Sequence, residues 1–159
     1  MKKILITGAN GLLGHKLVSL LSNQLDVCLV ATAKGICRFF LPSNVVYRSL
    51  DITNADVCKN LISEFQPDAL IHAAAMTKVD VCEDEREACD LINIKGVSNL
   101  IEAIGNRNTH FVHISTDFIY EGNEEEYFED SKVNPLNYYG RSKWKSEQLF
   151  EQVSFPYSI

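Results

Sequence analysis

Lys3-Ile4-Leu5-Ile6-Thr7-Gly8-Ala9-Asn10-Gly11-Leu12-Leu13-Gly14 is the stretch that decides the fold of this chain. Its apolar first half is typical of a buried parallel strand. Leucines at positions 13, 17, 20 and 21 then recur at helical spacing, so we expect a helix to about Ser22. A strand, a glycine-rich turn and a helix amino terminus together form an anion site, because free backbone N–H groups point at the ligand. The G-x-x-G-x-x-G spacing in this position favours a dinucleotide-binding turn over the alternative, a tight turn without a ligand.

Strands and helices alternate along the rest of the sequence and predict the fold class. Further strands are expected at residues 26–31, 45–47, 68–72 and 110–114. Helices are expected at residues 54–65, about 85–105 and about 139–153. Residues 35–44 are too short and irregular for a crossover helix, and residues 156–159 resemble the start of a sixth strand. We therefore predict an α/β fold of the Rossmann type, a doubly wound parallel sheet with strand order 3-2-1-4-5 and an incomplete sixth strand.

Size and composition are those of a globular protein with one domain. The chain has 159 residues, of which 46% are hydrophobic and 23% charged. Its net charge of −6 disfavours binding to nucleic acid or to anionic lipid. No apolar run approaches the roughly 18 residues of a membrane span, and no signal-peptide core follows the first lysines. Five scattered cysteines without a C-x-x-C pair fit reduced thiols, so we expect a cytoplasmic protein without a zinc site.

Residues that follow the second and fourth strands bear on the ligand. In NAD-binding folds an acidic residue near the end of the second strand binds the ribose 2′-hydroxyl. Here Lys34 and then Arg38 follow that strand without a carboxylate, which favours NADP(H) over NAD(H); two ordinary surface bases are the alternative. Ala73, Ala74 and Ala75 leave room for a flat ligand, or form a small-residue packing site. The acidic residues 121–130 are interpreted as a solvated loop and not as a metal site.

The predicted chemistry lies in the stretch Asn137-Tyr138-Tyr139-Gly140-Arg141-Ser142-Lys143. On a helix, Tyr139 and Lys143 stand at i and i+4, about 5–6 Å apart at Cβ. A cation beside a phenol favours the phenolate and lowers the pKa of the phenol. Tyr139 is therefore a candidate proton donor whose pKa Lys143 adjusts; the alternative is an ordinary solvated helix face. Thr116 follows the fifth strand and is therefore expected at the carboxyl edge of the sheet, where open α/β folds bind ligands.

Four pieces of the sequence, taken in order, resemble a known family. They are residues 6–14, Ala73-Ala74-Ala75-Met76-Thr77-Lys78-Val79-Asp80, Ser115-Thr116-Asp117-Phe118-Ile119-Tyr120, and Pro135-Leu136-Asn137-Tyr138-Tyr139-Gly140-Arg141-Ser142-Lys143. The set resembles the extended short-chain dehydrogenases/reductases, and the second and third pieces are similar to the dTDP-4-dehydrorhamnose reductase family within that group. The resemblance covers the whole chain. It implies NADPH-dependent reduction of the 4-keto group of a nucleotide-sugar substrate, dTDP-4-dehydro-6-deoxy-L-mannose, to dTDP-L-rhamnose.

The resemblance also implies roles for individual residues. Thr116 matches the hydroxyl that polarises the substrate carbonyl, Tyr139 the proton donor, and Lys143 the base that holds the nicotinamide ribose and eases ionisation of the phenol. Asn93 falls near an asparagine used in some proton relays, and Tyr138 is out of register and dispensable. Cofactor contacts are implied for the glycine turn, for a pair beside the adenine and for the alanines beside the nicotinamide: Gly8, Asn10, Gly11, Leu12, Leu13, Gly14, Asp51, Ile52, Ala73, Ala74, Ala75, Tyr139 and Lys143.

Members of this family continue with further strands and a carboxyl-terminal part that grips the nucleotide-sugar. We therefore expect residues 1–159 to be an NAD(P)-binding Rossmann domain that is truncated at its carboxyl end and lacks the substrate-binding part. The chain is then part of a longer enzyme, a truncated gene product, or a non-catalytic binding module similar to the regulatory beta subunit of methionine adenosyltransferase. A homodimer is a further expectation. An epimerase or dehydratase of the same superfamily is the last alternative, with Asp117 alone as its acidic residue after Thr116.

Overall fold

The protein is built around a six-stranded parallel sheet. The structure is a computed structural model that describes residues 1–159. The strands are β1 (Lys2–Thr7), β2 (Val27–Ala33), β3 (Val45–Ser49), β4 (Ala69–His72), β5 (His110–His113) and β6 (Tyr157–Ser158). Their order is β3-β2-β1-β4-β5-β6, and every neighbouring pair is parallel. The predicted fold class and strand order are confirmed, and the two-residue β6 is the incomplete sixth strand.

Helices cover both faces of this sheet. They are α1 (Leu12–Leu21), α2 (Ala55–Phe65), α3 (Val79–Asp84), α4 (Arg86–Asp90), α5 (Gly96–Ile104) and α6 (Tyr138–Gln148). A π-helical turn, Leu91–Lys95, joins α4 to α5, and 3₁₀ turns at Asp117–Ile119 and Leu149–Gln152 lie on either side of α6. None of these helices combines the length and the apolar character needed to cross a bilayer.

The two larger apolar clusters of the core lie one on each face of the sheet, and a third, smaller cluster comprises Cys82, Cys89 and Tyr139. Ile4 and Ile6 of β1 face one side and pack with Val18 of α1. Leu5 faces the other side, where it packs in a cluster that α2 and α5 share. Successive strand residues point to opposite faces, so a strand buried on both faces must be apolar throughout. This explains why the run Ile4-Leu5-Ile6 predicted the central strand correctly.

The largest departure from the predicted elements lies between β4 and β5. A single helix was expected at about 85–105, but α3 precedes it, and Glu85 separates α3 from α4 with a non-helical backbone (φ −116°, ψ 57°). The π-helical turn then inserts one extra residue into the helical repeat, and Asn93 within it is buried. Apolar spacing near 3.6 does not distinguish a π turn from an α turn, so periodicity alone merges these segments.

Helix α6 begins where the sequence supplies a cap. The Asn137 side chain accepts a hydrogen bond of 2.8 Å from the Gly140 backbone N–H. A Cβ at Gly140 would collide with the Phe118 carbonyl oxygen, so the first turn of α6 lies directly against the segment that follows Thr116. The helix ends at Gln148 and continues as a 3₁₀ turn, where an unbroken helix to about residue 153 was expected.

Candidate active site

The turn between β1 and α1 packs closely against the end of β4. Gly8 has φ +75°, and a Cβ there would stand 2.6 Å from the Ala73 carbonyl carbon and 2.5 Å from the Ala74 nitrogen. A Cβ at Gly14 would collide with the Gly8 carbonyl oxygen. The glycines therefore let the turn pack against the end of β4 and let α1 start close to the turn, which is the compact shape of a turn that can bind a pyrophosphate.

Two cavities adjoin along this turn and form one cleft. The first, about 240 Å³, lies towards β2 and β3 and is lined by Thr7, Gly8, Gly11, Ala33, Lys34, Leu50, Asp51, Ile52, Thr53, Ala73, Ala74, Ala75 and Ile92. The second, about 300 Å³, lies towards α6 and is lined by Gly11, Leu12, Leu13, Gly14, Ala73, Ala75, Thr77, Ile114, Ser115, Tyr139 and Lys143. Gly11, Ala73 and Ala75 belong to both linings, so the two cavities meet there.

The cleft brings together all the predicted site residues except Asn10 and Thr116. Asn10 instead supports the loop after β2, because its amide donates to the Ile36 carbonyl at 2.9 Å and accepts from the Arg38 N–H at 3.0 Å. Thr116 lies beside the cleft: its hydroxyl accepts from the Phe118 N–H at 3.3 Å and contacts Asp117 Oδ1 at 3.2 Å. Asn10 therefore holds the loop that carries Arg38 and does not line the cleft itself.

A charged pair stands at the β2 end of the cleft. Lys34 Nζ lies 2.7 Å from Asp51 Oδ2, and the Lys34 side chain is 80% exposed. Hydrogen bonds from Lys34 and then from the Thr53 hydroxyl lower the pKa of Asp51 below its usual value. The cation that the sequence suggested for a 2′-phosphate is thus held by a carboxylate, while Arg38 is exposed nearby.

Tyr139 points into the other end of the cleft from the first turn of α6. Its side chain is nearly buried, at 9% exposure, and its ring packs edge-on against Phe118 at 5.8 Å between centroids. Burial raises the pKa of Tyr139, and the neighbouring Thr116 hydroxyl acts in the opposite direction. The phenol is therefore neutral at ordinary pH and carries a proton that it can donate.

The Lys143 side chain points in a direction that differs from the expected one. We expected its charge to ease ionisation of Tyr139, but the pKa of Tyr139 is raised and Lys143 is not among its causes. The Lys143 side chain is only 2% exposed and reaches down to β5, where Nζ lies 3.2 Å from His113 Nε2. Burial lowers the pKa of Lys143 to about 8. The i,i+4 spacing places both residues on one helix face, but the long side chain is free to turn away from the phenol.

Asn93 is fully hydrogen-bonded within the protein. Its Oδ1 accepts from the Met76 N–H at 2.8 Å, and its Nδ2 donates to the Met76 carbonyl at 3.0 Å and to Ser142 Oγ at 2.9 Å. The predicted need for polar partners is thus met by the loop after β4 and by α6. The π-helical turn is what directs this side chain inwards.

The chain is similar in sequence to a known protein family and to several known proteins. The family model described as RmlD substrate binding domain matches residues 1–158. The chain belongs to this family. It is 36% identical over 160 residues to the dTDP-4-dehydrorhamnose reductase of Aggregatibacter actinomycetemcomitans, a match over 100% of this chain and 50% of that protein. It is also 31% identical over 148 residues to Methionine adenosyltransferase 2 subunit beta of Xenopus tropicalis, covering 92% of this chain and 42% of that protein.

Among solved structures, a similar one is the dTDP-4-dehydrorhamnose reductase of Bacillus anthracis in complex with NADP. Its TM-score is 0.77 and its identity 33%, over 99% of this chain and 52% of that one. The RmlD-family chain therefore spans about half the length of the relatives that it matches. The resemblance inferred from the sequence is confirmed.

Sequence reasoning missed four polar residues of this RmlD-family site, namely His113, Ser115, Ser146 and Glu147. His113 of β5 contacts both Lys143 and Ser146 of α6, and the Ser115 hydroxyl donates to a carboxylate oxygen of Glu147. The signal available in the sequence was the spacing of Lys143, Ser146 and Glu147, which stand at i, i+3 and i+4 on one helix face.

Two buried histidines make the stability of the RmlD-family domain depend on pH. His72 and His113 stack with ring centroids 5.5 Å apart, and each is 1% exposed. Burial, with Lys143 nearby, lowers the pKa of His72 to about 3 and of His113 to about 2. Below the unfolded value of about 6.5, the unfolded chain binds protons that the folded chain does not, so stability falls with acid. We expect the free energy of urea unfolding to drop by about 2–4 kcal/mol between pH 7 and pH 5.

The histidine prediction has an internal control. His72→Gln removes one of the two buried titrating groups and should roughly halve the drop in unfolding free energy. His15→Gln, at an exposed position, should leave the pH dependence unchanged. An equal drop in His72→Gln and in the unsubstituted protein would contradict this explanation.

Proposed function

We propose that residues 1–159 are the cofactor-binding and catalytic part of an NADPH-dependent dTDP-4-dehydrorhamnose reductase, with NADH as the alternative cofactor. The substrate is then dTDP-4-dehydro-6-deoxy-L-mannose and the product dTDP-L-rhamnose. Supporting this, relatives with that name match the whole chain over about half of their own length. The substrate-binding part would lie outside the residues described. Five free cysteines support a reducing, cytoplasmic setting.

The observation that carries the proposal is the continuous cleft. The glycine turn, which leaves no room for a side chain, opens into a wall of three alanines, and the phenol of Tyr139 lies at the far end. A dinucleotide lying along it would meet backbone N–H groups at its pyrophosphate and small side chains at its ring. The residues present therefore fit NADPH or NADH.

The chain's own residues would then divide the work as follows. The turn at residues 8–14 binds the pyrophosphate, and Lys143 leaves His113 to hold the nicotinamide ribose. NADPH, when bound, supplies the hydride. As negative charge grows on the ketone oxygen, the hydroxyls of Thr116 and Tyr139 donate hydrogen bonds to it, and Tyr139 transfers its proton.

Fluorescence of NADPH during titration with the protein tests whether the cofactor binds. Absorbance at about 340 nm in the presence of the dTDP-4-keto sugar tests whether NADPH is oxidised as the ketone is reduced. We expect saturable NADPH binding by residues 1–159, and substrate-dependent oxidation in the protein with its substrate-binding part present. Failure to bind NADPH or NADH would overturn the proposal. Retention of tightly bound NAD through purification would instead favour an epimerase or dehydratase.

A non-catalytic regulatory module is the second candidate. It is supported by the 31% identity to Methionine adenosyltransferase 2 subunit beta, whose name describes a subunit of another enzyme. Binding of NADPH without turnover of any keto sugar, in the protein with its substrate-binding part present, would favour this candidate over the reductase.

A further inference from the structure

Glu147 is a partly buried carboxylate beside the cleft that the proposed mechanism does not use. It stands one helical turn after Lys143 on α6, and one of its oxygens accepts the hydrogen bond of the Ser115 hydroxyl. Ser115 lines the cleft and immediately precedes Thr116. The contact therefore joins the strand end that delivers Thr116 to the helix that delivers Tyr139 and Lys143.

This contact is one of three between β5 and α6, which together we call the β5–α6 seam. The other two are His113 Nε2 to Ser146 Oγ at 3.0 Å and His113 Nε2 to Lys143 Nζ at 3.2 Å. The five residues of the seam are His113, Ser115, Lys143, Ser146 and Glu147. Both catalytic elements are thus joined by side chains, and not by backbone hydrogen bonds.

Among the titratable groups near the β5–α6 seam, Lys143 and Glu147 carry opposite charges that compensate each other. On the strand side, His113 and, behind it, His72 are neutral, because burial lowers the pKa of both. Tyr139 and Tyr120 have raised pKa values, mainly through burial, and are neutral as well. The charge of Asp117 acts on Tyr139, and the charges of Glu147, Glu129 and Asp130 act on Tyr120. On α6 itself Lys145 is exposed, and Glu151 is exposed in the 3₁₀ turn that follows.

The effects within the pair are reciprocal. The charge of Glu147 raises the pKa of Lys143 against the larger lowering by burial. Conversely, burial raises the pKa of Glu147, while the hydrogen bond from Ser115 and the charge of Lys143 lower it. Each group therefore favours the charged form of the other without a direct ion pair, since the ammonium makes its contact with His113.

We propose that Glu147 is a positioning residue: held by Ser115, its carboxylate fixes α6 against the end of β5 and balances the charge of Lys143, so that Lys143 reaches the nicotinamide ribose as an ammonium. This rests on the proposed NADPH-binding function. It adds a group outside the Thr116, Tyr139 and Lys143 set, and it makes the affinity for NADPH depend on the protonation of Lys143.

The direct test is ¹³C NMR titration of protein labelled at lysine Cε and glutamate Cδ. The Lys143 signal is the one that Lys143→Met removes. In Glu147→Gln the Lys143 midpoint should fall by about one pH unit, as expected for loss of a unit charge about 6 Å away in a partly buried site. Glu151→Gln makes the same chemical change at an exposed position and should not move it. No shift in Glu147→Gln, or an equal shift in Glu151→Gln, would overturn the proposal.

Two further variants keep the proposal testable if Glu147→Gln folds poorly. Lys143→Met should raise the Glu147 midpoint, because thermodynamic coupling between two sites is reciprocal. Ser115→Ala should raise it as well, through loss of the hydrogen bond. An unchanged Glu147 midpoint in both variants would also overturn the proposal.

Binding of NADPH as a function of pH separates this proposal from the proposed function. In the unsubstituted protein, affinity should decline as pH rises through the Lys143 midpoint, and Glu147→Gln should move that decline to lower pH by the same amount. Parallel declines in both proteins would refute the role of Glu147. Absence of NADPH binding at every pH would refute the proposed function, while the NMR titrations would still measure the pair.

Discussion

Replacement of Tyr139 by phenylalanine is expected to lower the rate of ketone reduction by roughly 10²- to 10⁴-fold, the contribution usual for a positioned general acid. The substitution removes one oxygen from a side chain whose ring is nearly buried against Phe118, so the ring should stay in place. Binding of NADPH should change little, because the glycine turn and the alanine wall are unaffected. The measurement is steady-state oxidation of NADPH beside a fluorescence titration.

Tyr138→Phe is the matched control for this experiment. The Tyr138 hydroxyl bonds to Asp90 Oδ2 at 2.9 Å, and its ring lies under the Arg86 guanidinium. It does not line the cleft, so turnover should remain close to that of the unsubstituted protein. Near-normal turnover in Tyr139→Phe, or a larger loss in Tyr138→Phe, would show that the proton comes from another group.

Substitution of Gly14 by alanine is expected to destabilise the domain by about 2–4 kcal/mol and to abolish NADPH binding. The added methyl group would collide with the Gly8 carbonyl oxygen and stand 2.7 Å from the carbon of that carbonyl. Both atoms are backbone, so relief requires that the turn itself move away from α1. A displaced turn no longer presents its N–H groups to a pyrophosphate. Urea unfolding and NADPH fluorescence measure the two effects separately.

Gly96→Ala is the control for Gly14→Ala. It shows how much stability is lost when a methyl group is added to a helical glycine without a collision with the backbone. Gly96 also lies in a helix, but its added methyl group would meet the Ile52 side chain and no backbone atom, at 2.6 Å from Cδ1 and 2.8 Å from Cγ1. That side chain can rotate, and alanine favours a helix over glycine by about 0.5–1 kcal/mol. A net change within about 1 kcal/mol is therefore expected. If the two variants lost equal stability, the close approach of the turn would not be the cause.

The sequence predicted the sheet well because its strands are buried on both faces. The apolar run from Ile4 to Ile6 and the glycines that follow it need no tertiary context to be interpreted. The segment between β4 and β5 was harder, because a π-helical turn changes the helical register by one residue without changing composition. Its function, to direct Asn93 between Met76 and Ser142, depends on contacts up to 49 residues apart in the chain.

Most of the predicted site residues belong to local motifs, whereas the missed residues are joined mainly by contacts between distant parts of the chain. The glycine spacing and the Tyr139–Lys143 spacing each lie within one element. The contact of Lys143 with His113 joins residues 30 apart, and that of Ser115 with Glu147 joins residues 32 apart. Such contacts are set by how α6 crosses β5. For the same reason the direction of the Tyr139 pKa shift could not be derived from helix spacing: burial, a tertiary property, raises this pKa, and the lysine turns away towards His113.

The amide of Asn93 holds Met76, one residue beyond the alanine wall, through both its N–H and its carbonyl, and holds Ser142, in the turn between Tyr139 and Lys143. The wall on which a nicotinamide ring would rest and the helix that carries the phenol are therefore mechanically coupled. Thermal motion that tilts the wall is therefore expected to tilt the helix with it.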